Sequence, residues 1–232
     1  MPNAFYGKKT NEIIILDEEE TSHLKVTRKK TNELIQVITG DGFLYKAKIN
    51  KIGKKQTTLE ILDKEDKSES YEPYISIYFG MSKWNRTQFL LEKLVELRVN
   101  QFYVFRGEKS DIKYKNLIKF QKAIIEACKQ TIYPVIPQID FTNLESIPKE
   151  NTIILDLIEN RKNIKSFLKE NKKLKNINIV IGPDSGFSEN EKNYFCSNGF
   201  EIMNLGNSIF RFETSAIYTA SIINYEFDRL NI

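Results

Sequence analysis

The apolar pattern changes period part-way along this chain, and that change constrains the fold more than any other feature. Across residues 12–62 the apolar positions mainly alternate, in runs at 13–16, 34–38, 43–49 and 57–62. Alternation puts every second side chain on one face of a sheet, so these runs read as half-buried strands. Thr39-Gly40-Asp41-Gly42 joins the second run to the third and has the composition of a hairpin turn. Several short strands with such turns suggest a small β-barrel. The charged stretch 63–72 then reads as a linker ending at Pro73.

Beyond Pro73 strands and helices alternate. Strands are expected at 74–80, 101–105, 151–157, 177–181 and 200–205, and helices at 86–97, 117–130, 162–170, from Ser188 and at 214–227. Leu90, Leu91, Leu94 and Leu97 share one side of the first helix, as core or dimer packing; Ile164, Phe167 and Leu168 lie beneath a lysine-rich one. Such alternation implies an α/β unit whose mostly parallel sheet is covered on both faces.

Two loops in this half carry the chemistry. The first is Ile181-Gly182-Pro183-Asp184-Ser185-Gly186-Phe187; the second runs from Leu205-Gly206 through Arg211 to Thr214. Each follows a strand and precedes a helix, the arrangement that builds a ligand crevice at the carboxyl ends of parallel strands. Gly182, Gly186 and Gly206 would let main-chain groups approach a ligand. Ser188 and Glu191 have capping-box spacing. Asp184, Glu189 and Glu191 together argue against a phosphate at that helix start, and neither GxxxxGK[ST] nor GxGxxG occurs. The ligand should be neutral or cationic there. Ordinary strand–helix connections would look the same by spacing alone.

Composition excludes other classes. No run of about 18 apolar residues exists and residues 1–10 lack an apolar signal core, so the expected location is the cytoplasm, away from membranes. Cys128 and Cys196 match no metal spacing and the chain has one histidine, which leaves no metal site. Both cysteines are expected to be buried, reduced thiols. The net charge is +4, with lysines concentrated at 28–30, 51–55 and 161–175. These are either solvated faces or the footprint of an anionic partner.

Taken in order, several segments resemble a known family. Ser22-His23, Val26-Thr27-Arg28, Lys83-Trp84-Asn85-Arg86, Glu92-Lys93-Leu94-Val95-Glu96-Leu97, Glu126-Ala127-Cys128-Lys129-Gln130 and the two loops are similar to the motifs of RsmE-type ribosomal RNA uridine methyltransferases of the SPOUT class. Four positions depart from the pattern: Arg98 and Ser185 replace glycine, Ser208 or Ile209 replaces arginine, and Phe212 replaces threonine. The resemblance implies a PUA-like β-barrel RNA-binding domain at 1–70, then a SPOUT methyltransferase domain at 73–232 with a C-terminal trefoil knot.

It also implies S-adenosylmethionine as methyl donor, nitrogen 3 of a uridine in 16S ribosomal RNA of the small subunit as acceptor, and a homodimer with the knot helices at its interface. Leu155, Ile181, Gly182, Pro183, Gly186, Leu205, Gly206 and Phe210 would form the cofactor pocket, largely through main-chain groups. Arg211 would stabilise charge on the uracil, oriented by Glu213, while Thr214 would cap the last helix. His23, Arg28, Lys29, Lys30, Lys83 and Arg86 would face RNA. Trp84 would either stack on a base or pack locally. A non-catalytic RNA-binding protein with this fold, or an enzyme acting on another RNA, are the alternatives.

Overall fold

The computed structural model describes residues 4–69, 71–157 and 163–231. The chain divides into two compact units, Met1–Glu69 with Ile125–Ile136, and Ser70–Ile124 with Pro137–Ile232.

The first unit is a barrel-like sheet. Its strands are β1 (Phe5–Tyr6), β2 (Lys8–Thr10), β3 (Ile13–Leu16), β4 (Leu34–Ile38), β5 (Phe43–Ile52) and β6 (Thr57–Asp66), in the order β1-β4-β5-β6-β3-β2. All pairs are antiparallel except β1 with β4. The alternating residues Ile14, Leu16, Val37, Tyr45, Ala47, Ile49 and Leu59 are fully buried inside it. The turn between β4 and β5 forms as expected: Gly40 and Gly42 both have positive φ, and Asp41 accepts from the Phe43 amide at 3.2 Å.

Two features differ from the sequence reading. Residues 63–66 are the second half of β6 instead of linker, paired in register with 43–46. Their charged side chains point to solvent, and the Lys64 ammonium sits 4.6 Å from the Phe43 ring centroid, so the ladder outweighs weak strand propensity. A helix, α1 (Glu18–Val26), interrupts the strands; Asp17 caps it by accepting from the Glu20 amide at 2.9 Å, and acids fill its first turn.

A buried lysine with two carboxylate partners lies inside this unit. Lys129, 2% exposed, donates to Glu20 at 2.5 Å and Glu126 at 2.6 Å. Burial acts to lower the ammonium's pKa, but both carboxylates outweigh it and hold it above its ordinary value of 10.5. Glu20 also accepts from the Tyr6 amide at 3.1 Å, and the Lys129 carbonyl accepts from the Ala4 amide at 3.1 Å.

The second unit is α/β. Its strands are β7 (Tyr74–Gly80), β8 (Gln101–Phe105), β9 (Gln138–Phe141), β10 (Thr152–Leu155), β11 (Asn176–Ile181) and β12 (Glu201–Met203). They lie in the order β12-β10-β11-β7-β8-β9, and every neighbouring pair is parallel. The helices are α2 (Trp84–Glu96), α3 (Ile118–Gln130), α4 (Ile164–Glu170), α5 (Glu189–Ser197) and α6 (Phe212–Glu226). The last turn and a half of α3 clusters with the first unit.

Leu90, Leu91 and Leu94 of α2 are fully buried, and α6 packs on that helix. Arg229, after α6, is 2% exposed and donates to the carbonyls of Tyr71 at 3.3 Å and Arg98 at 3.1 Å. Among the described residues no helix is long and apolar enough to cross a membrane.

The expectation for the helix at 162–170 holds from Ile164 onward; Arg161 and Lys162 lie outside the described residues. Thr214 does not cap α6. The helix begins at Phe212 with Arg211 at the cap position and no side-chain cap bond, which leaves Thr214 within the first turn. Cys196 is exposed, contrary to expectation, because α5 turns its neighbour Phe195 into the core instead; Cys128 is buried. A maleimide probe should therefore label one thiol in the folded protein, at Cys196, and two in denaturant. Two fast-reacting native thiols would contradict the buried placement of Cys128.

Candidate active site

The carboxyl ends of β10, β11 and β12 open onto one cleft of about 410 Å³ in the second unit. That volume lies in the range of roughly 300–1,000 Å³ usual for small-molecule sites. The loop after β11 forms one wall. Its shape is set from both sides: Gly80 lies so close to Pro183 that a Cβ would sit 2.4 Å from the Pro183 nitrogen. The Asp184 amide donates to Ser82 Oγ at 3.0 Å, and Gly186 has φ +76°.

The expected capping box starts α5. Ser188 Oγ accepts from the Glu191 amide at 3.0 Å, and Glu191 Oε2 accepts from the Ser188 amide at 2.7 Å. The other oxygen of Glu191 accepts from the Glu108 amide at 2.8 Å, binding this helix start to the segment after β8.

Of the eight residues proposed for the cofactor, Leu155, Ile181, Gly182, Pro183, Gly186, Leu205 and Phe210 line the cleft. Gly206, with φ +111°, lines a neighbouring groove between α4 and α6. Arg211 lines the cleft, is exposed, and joins no ion pair among the described residues, so it pairs with neither Glu213 nor Asp184. Glu213 stands in the first turn of α6, where the helix dipole favours a negative charge. Its Oε2 is buried without a hydrogen-bond partner among the described residues. Phe212 packs edge-on to Phe79 at 6.2 Å, with the rings 61° apart.

The RNA-facing candidates are divided between the units. His23 is half-buried, its ring 5.3 Å from that of Phe5; Arg28 has φ +58° after α1, and Lys29 pairs with Glu33 at 3.4 Å. Lys83 is exposed at the start of α2. Arg86 is in the cleft wall, 3.4 Å from Asp184. Trp84 packs locally, edge-on to Phe120 at 5.4 Å and Tyr114 at 6.5 Å, with the Lys119 ammonium 4.1 Å from its ring centroid.

Sequence reasoning missed Asp156, immediately after β10. It lines the cleft and meets Lys192 at 3.4 Å. Burial alone would lower the Lys192 ammonium, but the Asp156 and Glu189 carboxylates hold it above its ordinary value. A carboxylate at the end of an apolar strand run was the available signal. The cleft thus presents two carboxylates, each paired with a cation, and one unpaired guanidinium.

Residues 70–224 match the RNA methyltransferase domain family, well over half of the chain. The chain belongs to that family. Residues 16–62 match the RNA methyltransferase PUA domain, so the barrel-like unit has its own counterpart. The methyltransferase is 29% identical over 223 residues to ribosomal RNA small subunit methyltransferase E 2 of Borreliella burgdorferi, covering 90% of this chain and 89% of that one.

Among solved structures, a predicted RNA methyltransferase from Thermotoga maritima is 29% identical, with a TM-score of 0.82 over 99% of this chain and 100% of that one. Ribosomal RNA small subunit methyltransferase E of Neisseria gonorrhoeae, solved bound to S-adenosyl methionine, shares the fold at 23% identity. Its TM-score is 0.84 over 97% of this chain and 98% of that one.

Proposed function

We propose that this methyltransferase moves the methyl group of S-adenosylmethionine to nitrogen 3 of a uridine in 16S ribosomal RNA of the small subunit. The carrying observation is the convergence of both glycine loops and the unpaired Arg211 on one cleft. The residues present fit such a donor. Leu155, Met203 and Phe210 supply apolar walls for an adenosyl group, while Asp156 and Asp184 supply carboxylate acceptors at its edge. When bound, the donor provides a methyl group already activated as a sulfonium.

Nitrogen 3 of neutral uracil carries a proton and is a poor nucleophile until that proton leaves. Negative charge then develops on the ring oxygens, and a fixed cation beside them lowers the barrier. Arg211 is placed for this role; its guanidinium is permanently charged and donates through a planar fork. Glu213, two residues on, makes no ion pair with it and stands in the first turn of α6, where the helix dipole favours its charge. In the first unit, Arg28, Lys29, Lys30 and His23 would meet RNA, while Lys83 and Arg86 would do so from the second. Phosphate contacts of this kind position RNA without reading its sequence.

The same reading places the protein in the cytoplasm and makes residues 1–70 an RNA-binding domain and 73–232 the catalytic domain, with a knotted C-terminal segment. It also makes the protein a homodimer, which the exposed Tyr218 and Tyr225 of α6 support.

Calorimetry with S-adenosylmethionine should show binding that survives chelator, because no group of metal-ligating side chains occurs among the described residues. Mapping of N3-methylated uridines in ribosomal RNA from a deletion strain should show one missing modification. Donor binding without any missing uridine methylation would redirect the reading to another RNA, and absence of donor binding would overturn it.

A further inference from the structure

Residues 106–119 concentrate positive charge beside the cleft. They carry Arg106, Lys109, Lys113, Lys115 and Lys119 against only Glu108 and Asp111, a surplus of three in a chain whose net charge is +4. All five basic side chains are exposed and none is in an ion pair among the described residues. Glu108 is engaged elsewhere, accepting from the Asn190 side chain at 3.3 Å. By contrast, the exposed Lys48 is neutralised by Glu60 at 2.7 Å.

The segment is also fastened to the cleft wall. Ser185 donates to the Lys109 carbonyl at 2.5 Å, and the Tyr114 hydroxyl donates to the Ser82 carbonyl at 2.8 Å. Ser82 in turn receives the Asp184 amide. At the far end, the Trp84 ring holds the Lys119 ammonium. The backbone that carries these cations is therefore anchored beside Asp184 and Ser185.

We infer that residues 106–119 form a phosphate-backbone contact that holds RNA on the methyltransferase domain itself, beside the cleft. This rests on the function proposed above. Unpaired lysines anchored next to a reaction cleft match a polyanion that must present one nucleotide there and continue past it. An acidic protein surface is the competing partner, and RNA is favoured because the anchors join the segment to the wall of the cleft that would receive the nucleotide.

The test is RNA affinity against salt for the full chain, with a 16S ribosomal RNA transcript as probe. Lys109→Gln, Lys113→Gln and Lys115→Gln combined should lower the log–log salt slope by about 2 to 3, at roughly 0.7–0.9 per lost phosphate contact. S-adenosylmethionine affinity and melting temperature should stay at the parent values. The single changes Lys113→Gln and Lys115→Gln, each worth about 0.7–0.9 of slope, guard against a folding defect in the triple variant.

A control removing Lys165, Lys169 and Lys173, exposed on or just after α4, should leave the slope alone. An unchanged slope in the 109/113/115 variant, or equal flattening in the control, overturns the inference. A parent protein that binds donor but no RNA overturns the functional reading, and this inference with it.

Discussion

Arg211→Ala is expected to retain the fold and most donor affinity while single-turnover methyl transfer falls on the order of a hundredfold to a thousandfold. That is the effect of losing one preorganised donor aimed at developing negative charge. The fold should survive because the side chain is exposed and joins no ion pair among the described residues. Its backbone, which starts α6, is untouched by the change, and the alanine adds no cap because none was made by the side chain. Arg211→Lys should recover only part of the rate, since a point charge cannot reproduce the guanidinium fork. The measurement is single-turnover rates beside thermal melts. A stable Arg211→Ala protein with near-normal chemistry would remove the residue from the mechanism.

The second large effect is expected in the first unit, at Lys129→Ala. Removing the ammonium strands Glu20, 5% exposed, as a buried carboxylate with only the Tyr6 amide left to it. Breaking one half of a buried pair costs about 3–5 kcal/mol. Urea unfolding followed by a probe in the first unit should read that loss. Changing Glu20→Leu together with Lys129→Met should recover much of it, but not all, because the Tyr6 amide then loses its acceptor.

The pH dependence follows from the raised lysine pKa. The ammonium is retained more strongly in the folded state, so its contribution is complete below the ordinary value of 10.5 and is lost as pH climbs through the higher folded value. Neutral-pH stability should not move with this group. A loss under 1 kcal/mol for Lys129→Ala would mean that water reaches the pair in solution.

The interior strands of the second unit were legible because a parallel sheet covered on both faces writes its strands as continuous apolar runs. β7, β10 and β11 are nearly all buried, and each stands out as such a run. β9 did not, since only Ile139 of its four residues is buried and the strand sits at the sheet edge. β1 and β2 are too short to show a period at all.

α1 escaped for another reason. Its apolar content is low, and the acids that favour its first turn look like any charged stretch until Asp17 is recognised as a cap. In the cleft, glycines announced the loops, but the pairs that organise the walls join residues distant in sequence. Arg86 with Asp184 and Asp156 with Lys192 have no local spacing to detect, so neither pair is legible in the sequence.

Glu191 offers a different consequence. It is 4% exposed, with one oxygen committed to its own helix and the other to an amide eighty-three positions earlier. One added residue between Gly107 and Lys109 would displace the Glu108 amide by roughly 3.3–3.6 Å along the chain, beyond hydrogen-bond reach. What is fixed after β8 is therefore a chain length, and at Gly107 the lack of a side chain as well, since a Cβ there would sit 3.1 Å from Pro183 Cδ and 3.2 Å from Glu191 Oε1.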